Sequence, residues 1–455
     1  MAVSQAVTAP PSFTEGPLGP MLYRMTLPMV WGLLATMSFN AIDTLFVAQL
    51  GEDALAAMSF TFPVVMVMTS IGIGLGAGVS SIVSRSLGSG DHHEAGHLLT
   101  DSATFSLLLS VIVTALGLLT MEPMFLLLGA TPELLPLIVE YMEIWYFNAP
   151  LLIVGMAIMS ALRARGSSGI AGYLMLVSAL VNGLLDPLLI FGWLGFPRLE
   201  IAGAAWATLI SRMLLIVVAL YYVQGKFRML ESPFQPWSKI AASWRSLLHI
   251  GLPAMATNVI IPLASGVVVA LVAQHGQGAV AGFGVAMRIE PVALIVFYSL
   301  SSVAGPFFGQ NLGAKNFDRL YKGLLVMGRF CLVWGVCMAV VLWITGEWLA
   351  GWFSRSDDVL PVAVAYLSTV PLTYGFYGIV MSVNAGFNGL GKPMPGVVIS
   401  AARVFIIYLP MAWVGQYFWG LQGLFVATAL ANGVVGIMGW LWMRHHLKLL
   451  RSENS

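Results

Sequence analysis

Two aspartates lie inside apolar stretches that are long enough to cross a membrane. Asp43 lies about five residues before the end of the first stretch, and Asp186 lies about six residues before the end of the fifth. At 1.5 Å per residue, both carboxyl groups lie roughly 8 Å from the outer boundary. A charge in the hydrocarbon region is costly and is usually retained for a function. The two aspartates are therefore the first candidates for a functional site.

Three further polar side chains reach a similar depth. Tyr141 lies in the fourth stretch and Thr208 in the sixth, and Asn182 precedes Asp186 by one helical turn, on the same helix face. Burial, and a second carboxylate nearby, favour the neutral form of a carboxyl group, so this cluster could hold a proton near neutral pH. A sodium ion at Asp43, Asn182, Asp186 and Thr208 is the alternative occupant, and a purely structural role for each aspartate is a further alternative.

The second half of the chain has different polar features. In the register that aligns Pro28 with Pro253, Val268 and Met411 correspond to Asp43 and Asp186, so the ion chemistry is predicted to be asymmetric. Glu290 and Arg403 lie in the eighth and eleventh stretches. We interpret them as a buried ion pair that links two helices, with a coupling role as the alternative.

Pro28 lies early in the first stretch. A proline frees a backbone carbonyl group and permits a kink, so Pro28 is a candidate hinge that could move Asp43. Ordinary packing of a membrane helix is the alternative.

No cofactor or metal site is predicted from the sequence. Cys331 and Cys337 are spaced so that they fall on different sides of a helix. The pairs His92-His93 and His445-His446 lie in polar segments, where solvated side chains are expected. No His-Glu-x-x-His pattern occurs, which disfavours an intramembrane enzyme.

The composition identifies the chain as a membrane protein. Of 455 residues, 58% are hydrophobic and 9% are charged, and the mean hydropathy is +0.88. Soluble domains are about one quarter charged. A net charge of +1 indicates no nucleic-acid partner. Each span needs roughly 20 apolar residues. The apolar stretches predict twelve spans, near residues 24–48, 55–81, 98–120, 135–161, 170–192, 201–223, 247–273, 279–304, 320–345, 359–385, 394–416 and 421–444.

Basic residues set the orientation of these spans. If the first span leaves the cytosol, the outer loops contain only Arg198 and Arg355, and most other Lys and Arg residues lie in inner loops. Because Lys and Arg favour the cytoplasmic side, both termini are predicted to be cytosolic, in a bacterial inner membrane. The start of the chain shows no signal-peptide pattern.

The two halves of the chain repeat each other. Leu27-Pro28 recurs as Leu252-Pro253, and Leu87-Gly88 recurs as Leu312-Gly313, both in one constant register. The predicted fold is an all-α polytopic membrane protein with twelve transmembrane helices in two six-helix lobes. Its predicted segments are a tail (1–23), an N-terminal lobe (24–223), an interfacial linker (224–246), a C-terminal lobe (247–446) and a second tail (447–455).

The chain resembles the MATE (multidrug and toxic compound extrusion) family from about Leu27 to Trp442. The resemblance rests on these segments: Leu27-Pro28, Phe39-Asn40-Ala41-Ile42-Asp43, Ala48-Gln49-Leu50-Gly51, Leu87-Gly88, Arg163-Ala164-Arg165-Gly166, and Asn182 with Asp186-Pro187-Leu188-Leu189-Ile190-Phe191-Gly192. The segment from Asn182 is the most specific of them. The loop Gly166-Ser167-Ser168-Gly169 departs from the family pattern, which weakens any role for that loop.

The resemblance implies an antiporter that exports varied organic compounds, often cationic and aromatic, in exchange for protons or sodium. In the DinF-like branch the coupling residues correspond to Asp43, Tyr141, Asn182, Asp186 and Thr208. The NorM-like branch would place acids in spans 7 and 10, which have none here. The expected partners are small-molecule drugs and the bilayer, with the protein acting as a monomer. A lipid-linked oligosaccharide flippase of the same superfamily is an alternative, although the spans offer few cationic residues for its diphosphate.

Overall fold

The computed structural model describes residues 13–354 and 356–453. The start of the predicted N-terminal tail, Arg355 and the end of the predicted C-terminal tail lie outside this part of the chain. The described residues form helices joined by short loops, without strands. The α-helices are α1 Leu18–Ala48, α2 Glu52–Gly88, α3 His92–Leu127, α4 Leu135–Ala164, α5 Ser168–Phe191, α6 Glu200–Leu220, α7 Trp237–Ala273, α8 Gln277–Ala293, α9 Ile295–Gly313, α10 Phe317–Gly351, α11 Leu360–Thr369, α12 Tyr374–Gly389, α13 Met394–Ala401 and α14 Leu409–Ser452.

These helices supply the twelve predicted spans. Among the described residues, ten helical segments are long and apolar enough to cross a membrane, and α8 with α9, bent by 47°, forms one more span. One of the ten, Met394–Ser452, is 59 residues long and contains two spans. The predicted all-α, twelve-span fold is therefore confirmed.

A glycine separates the last two spans. Gly420 has a φ of 55° and a ψ of −135°, which a residue with a side chain rarely adopts. The helical segments on either side of it pack closely, because a Cβ at Gly415 would lie 2.7 Å from the carbonyl oxygen of Gly423. The backbone thus reverses here without a long loop.

Several spans depart from regular α-helix. Span 6 continues as a π-helix over Tyr221–Lys226, a 3₁₀ turn at Val370–Thr373 interrupts span 10, and a π-helical segment at Ala402–Tyr408 interrupts span 11. Such irregular turns inside helices often accompany functional sites. Arg403 lies within the π-helical segment of span 11.

The two lobes, α1–α6 and α7–α14, meet through equivalent helices of the repeat. A Cβ at Gly88 would overlap the backbone of Gln310, and a Cβ at Gly313 would overlap the backbone of Arg85. Each of these contacts is the counterpart of the other in the register of the repeat. The pseudo-twofold axis therefore passes between α2 and α9, where only glycine allows the backbones to touch.

The seam between the lobes is closed at one end of the molecule. Gln310 Nε2 donates to the Ala164 carbonyl oxygen at 2.6 Å, and Ser81 Oγ donates to the Gly389 carbonyl oxygen at 3.3 Å. Most of the basic loops gather at this end, which we call the basic end. The hydrogen bonds between the lobes that the described residues form lie at this end.

Residues Phe13–Gly16, which we call the N-terminal anchor, seal this seam. The Phe13 side chain is 0% exposed and packs edge-on against Phe307. Its backbone N–H donates to Gln310 Oε1 at 3.1 Å, and its carbonyl oxygen accepts from Arg319 Nε at 2.8 Å. Arg319 Nη1 also donates to the Gly16 carbonyl oxygen at 2.7 Å. This part of the predicted tail is thus built into the contact between the lobes.

Candidate functional site

The packing of α1 against α5 brings the two aspartates to the same depth. At the basic end a Cβ at Gly172 would overlap the Pro28 carbonyl group, and farther along the Phe39 ring occupies the space beside Gly183. One further turn along each helix stand Asp43 and Asp186. Because α1 is helical on both sides of Pro28, the hinge role of that proline remains a prediction.

The two carboxyl groups are buried and incompletely paired. Asp186 is 0% exposed and Asp43 is 9% exposed, and the two groups interact electrostatically. Asn182 Nδ2 donates to Asp186 Oδ1 at 3.4 Å. Asp43 Oδ1 and Asp186 Oδ2 are buried and have no hydrogen-bond partner within the described chain. An unpaired buried carboxylate oxygen is costly, so a proton or a cation bound between these groups would stabilise them.

Tyr141 joins this pair from α4. Its side chain is buried and interacts electrostatically with both aspartates and with Arg212. Of the five predicted residues, the structure thus brings together Asp43, Asp186, Asn182 and Tyr141. Thr208 lies on α6, and in the described residues its hydroxyl group forms no hydrogen bond to either acid.

Arg212 is a charged residue of this lobe that the sequence interpretation did not single out. It follows Thr208 by one turn on α6, and its guanidinium carbon lies 5.1 Å from the centre of the Trp145 ring. Its Nη1 atom is buried without a hydrogen-bond partner among the described residues, and no carboxylate forms a salt bridge with it there. Asn148, fully buried on α4, has both side-chain polar atoms unpaired. Arg212 and Asn148 both lie deeper along their helices than Thr208 and Tyr141 do.

The sequence contains a feature that points to Arg212. It is an arginine well inside an apolar helix, the same evidence that identified the aspartates. Asn148 carries a weaker signal, because uncharged amides are common in membrane helices.

Glu290 and Arg403, the predicted ion pair of the second lobe, interact electrostatically but form no salt bridge in the described part of the chain. Both carboxylate oxygens of Glu290 accept from the Tyr366 hydroxyl at 3.1 Å. Arg403 Nη1 instead donates to Asn432 Oδ1 at 3.3 Å, and the guanidinium lies 4.6 Å from the centre of the Tyr377 ring. Each charged group is thus hydrogen-bonded to a neutral side chain, and Arg403 also contacts an aromatic ring. The linear sequence does not indicate these partners.

Comparisons with known proteins agree with this architecture. The MatE family model matches residues 28–188 and 253–414, two segments that begin at equivalent prolines of the internal repeat. The chain is 41% identical over 423 residues to a protein from Shewanella oneidensis named "FAD transporter", covering 93% of this chain and 94% of that protein. It is 26% identical to the "Probable multidrug resistance protein YoeA" of Bacillus subtilis, covering 95% and 94% of the two chains.

A solved structure shows the same fold. The Vibrio cholerae MATE transporter VcmN in the bent form is 32% identical and superposes with a TM-score of 0.90, covering 96% of this chain and 98% of that one. The family model, the relatives and the solved structure all describe transporters, so the chain is a transporter and not an enzyme. The chain belongs to the MATE family of membrane transporters.

Proposed function

We propose that this transporter exports an organic substrate in exchange for protons that bind at Asp43 and Asp186. The observation that carries the proposal is the pair of buried carboxyl groups with unpaired oxygens inside the first lobe. The basic end faces the cytosol of a bacterial inner membrane, with both termini inside. The described structure is then the outward-open state, closed at the cytosolic end.

The first candidate substrate is a flavin dinucleotide. The relative with 41% identity is named as a transporter of FAD, and Arg212 supports the transfer of that name. Its positive charge has no carboxylate partner within the described chain, and an indole ring lies beside it. A phosphate group and a flat ring system would complement those two side chains.

Cationic aromatic drugs are the second candidate. They are favoured by the relatives named as multidrug proteins, which are less similar at 26% and 24% identity. The two aspartates, when ionised, would attract such a cation. A lipid-linked oligosaccharide flippase is not favoured, because the relatives are named for FAD transport and for multidrug resistance or export.

The proposed cycle follows from the position of the acids. A proton from outside neutralises the cluster, α1 bends at Pro28, and the cavity of the first lobe contracts and releases the substrate. Because a contracted cavity expels the substrate by its size, this release step works for both cationic and anionic substrates. Sodium is the alternative ion, because carboxylate, amide and hydroxyl oxygens also suit a hard cation.

Transport in proteoliposomes tests the proposal. The purified chain is supplied with FAD or ethidium under a pH gradient or a sodium gradient, each imposed without the other. We expect substrate movement driven by the pH gradient alone. Substrate movement driven only by the sodium gradient would indicate that sodium, not protons, is the coupling ion at the same residues. If neither gradient drives movement of FAD or ethidium, the proposal is contradicted.

A further inference from the structure

Three side chains with metal-binding atoms meet at the basic end, far from the coupling site. His93 and His97 lie one turn apart on the same face of α3, and Glu231 comes from the linker, residues 227–236, which joins the two lobes. His93 Nε2 lies 3.2 Å from His97 Nε2, and His93 Nδ1 lies 3.0 Å from Glu231 Oε1. One ligand atom from each residue can be chosen so that all three lie within 4.8 Å of one another.

The linker is held so that Glu231 faces the two histidines. The Glu231 backbone N–H donates to Thr100 Oγ1 at 3.0 Å, and that hydroxyl lies 3.1 Å from the Glu231 carbonyl oxygen. A Cβ at Gly96 would lie 2.6 Å from the Glu231 Cγ. The Glu231 side chain therefore passes over α3 at Gly96, where no side chain blocks it. The three candidate ligands are thus positioned by contacts that do not involve a metal.

We propose that His93, His97 and Glu231 bind a divalent transition-metal ion, with Zn²⁺ as the best match. Two imidazole nitrogens and one carboxylate oxygen form a common three-ligand zinc set, with bonds of about 2.0–2.2 Å. Ligand atoms of a tetrahedral site are about 3.4 Å apart. The 3.2 Å and 3.0 Å contacts use different nitrogens of His93, and one set of ligand atoms lies within 4.8 Å, so small side-chain rotations would complete the site. The His93 side chain is 72% exposed, which leaves a fourth position for water. Imidazole ligands disfavour Mg²⁺ and Ca²⁺.

A bound ion would tie the linker to the first lobe. Glu231 lies on the only covalent connection between the lobes, and Trp244, at the start of α7, already donates to the Asp101 carbonyl oxygen on α3 at 3.0 Å. Metal binding adds to this bond, and to the hydrogen bonds between Thr100 and the Glu231 backbone, a stronger attachment that resists movement of the second lobe relative to α3. This effect on transport rests on the proposed antiport function, whereas the binding site does not.

Calorimetric titration with ZnCl₂ tests the site. Full-length protein in detergent, purified without a histidine tag and treated with EDTA, should bind one Zn²⁺ at this site. His97→Gln and Glu231→Gln should each lower the Zn²⁺ affinity at least about tenfold, since even outer-shell changes cost this much. His92→Gln is the matched control, an adjacent exposed histidine outside the cluster, and should leave the affinity unchanged. Equal losses in all three variants, or no saturable binding in the wild type, would overturn the proposal.

A lower Zn²⁺ affinity in these variants could come from the loss of a metal ligand or from displacement of the linker, and a spectroscopic measurement distinguishes the two. With Cu²⁺ in place of Zn²⁺, electron paramagnetic resonance should show two coordinated nitrogens in the wild type and one in His97→Gln. An unchanged nitrogen pattern in His97→Gln would reject the assignment of this residue. In proteoliposomes, Zn²⁺ on the basic side should slow transport in the wild type and not in Glu231→Gln. If Zn²⁺ binds and transport is unaffected, the linker clamp is rejected while the antiport proposal stands.

Discussion

At the scale of single residues, Asp43 is the side chain whose charge bears most directly on coupling. Asp43→Asn keeps the shape of the side chain and removes its titration, so the variant should fold and reach the membrane. We expect gradient-driven FAD or ethidium transport to fall to the level of empty vesicles. Transport at the wild-type rate, with normal elution in size-exclusion chromatography, would contradict a coupling role.

The residues around the acids should behave as one network. Asp186→Asn, Asn182→Ala and Tyr141→Phe should each weaken transport, and pairs of these changes should show interaction free energies of about 0.5–3 kcal/mol in substrate binding. Isothermal titration calorimetry on single and double variants measures these energies. Glu290→Gln, in the other lobe, is the control. Its effect on the substrate-binding free energy should be additive with that of Asp186→Asn. Additive losses throughout would indicate separate structural roles.

Arg212 should distinguish substrates by charge. Because a hydrogen bond to a charged group contributes about 1.5–3 kcal/mol, Arg212→Gln should weaken FAD binding roughly 10- to 100-fold. Binding of riboflavin, which lacks the phosphates, should change little. Arg329→Gln, an exposed arginine within α10, is the control. Equal losses for FAD and riboflavin would assign Arg212 a structural role instead.

The sequence identified most of the acid cluster because depth along a helix can be counted from its ends. Counting places Asp43, Asp186 and Tyr141 at one depth, and in the structure the Tyr141 side chain interacts electrostatically with both acids. The partners of Glu290 and Arg403 could not be obtained by counting. Which face of a helix meets which neighbour depends on its rotation about its own axis, and a largely apolar helix leaves that rotation undetermined.

At the scale of helices, the glycine contacts between α2 and α9 should control closure of the basic end. Gly88→Ala and Gly313→Ala each add a methyl group where two backbones touch, so both should hold the seam open. Ser84 is a buried residue of this seam, and Ser84→Cys can report the opening. In a protein that lacks Cys331 and Cys337, the rate at which maleimide labels this cysteine measures how far the seam is open. Both variants should label faster than the parent protein.

The control for this experiment is Gly433→Ala, because a Cβ at Gly433 meets no atom within 4 Å. Its labelling rate should equal that of the parent protein. A large difference between Gly88→Ala and Gly313→Ala would contradict the symmetric seam, since the internal repeat makes the two contacts equivalent.

Hydropathy located the spans more accurately than their ends. α1 begins at Leu18 rather than near residue 24, and α7 begins at Trp237, inside the predicted 224–246 linker. Helices continue beyond the hydrocarbon region with polar residues, which an apolar window cannot register. The bend between α8 and α9 also went unpredicted, because membrane helices often contain a proline such as Pro291 without breaking.

At the scale of the whole molecule, protons and substrate should oppose each other's binding. If protonation of Asp43 and Asp186 contracts the cavity, linkage requires that the substrate weakens proton binding by the same factor. Ethidium affinity should therefore fall as the pH is lowered. The fall should disappear in the Asp43→Asn, Asp186→Asn double variant. An affinity that ignores pH but falls with added sodium would support sodium coupling.

The N-terminal anchor also sets an order of events during biosynthesis. Phe13 leaves the ribosome 297 residues before its partner Gln310. At about 5–20 residues per second, the anchor waits roughly 15–60 s for the helix that will hold it. During this interval the first lobe can insert and pack, but the seam has no second side. Docking of Phe13 thus requires the first helices of the second lobe, and a chain truncated before α9 retains an undocked phenylalanine that a protease or chaperone can recognise.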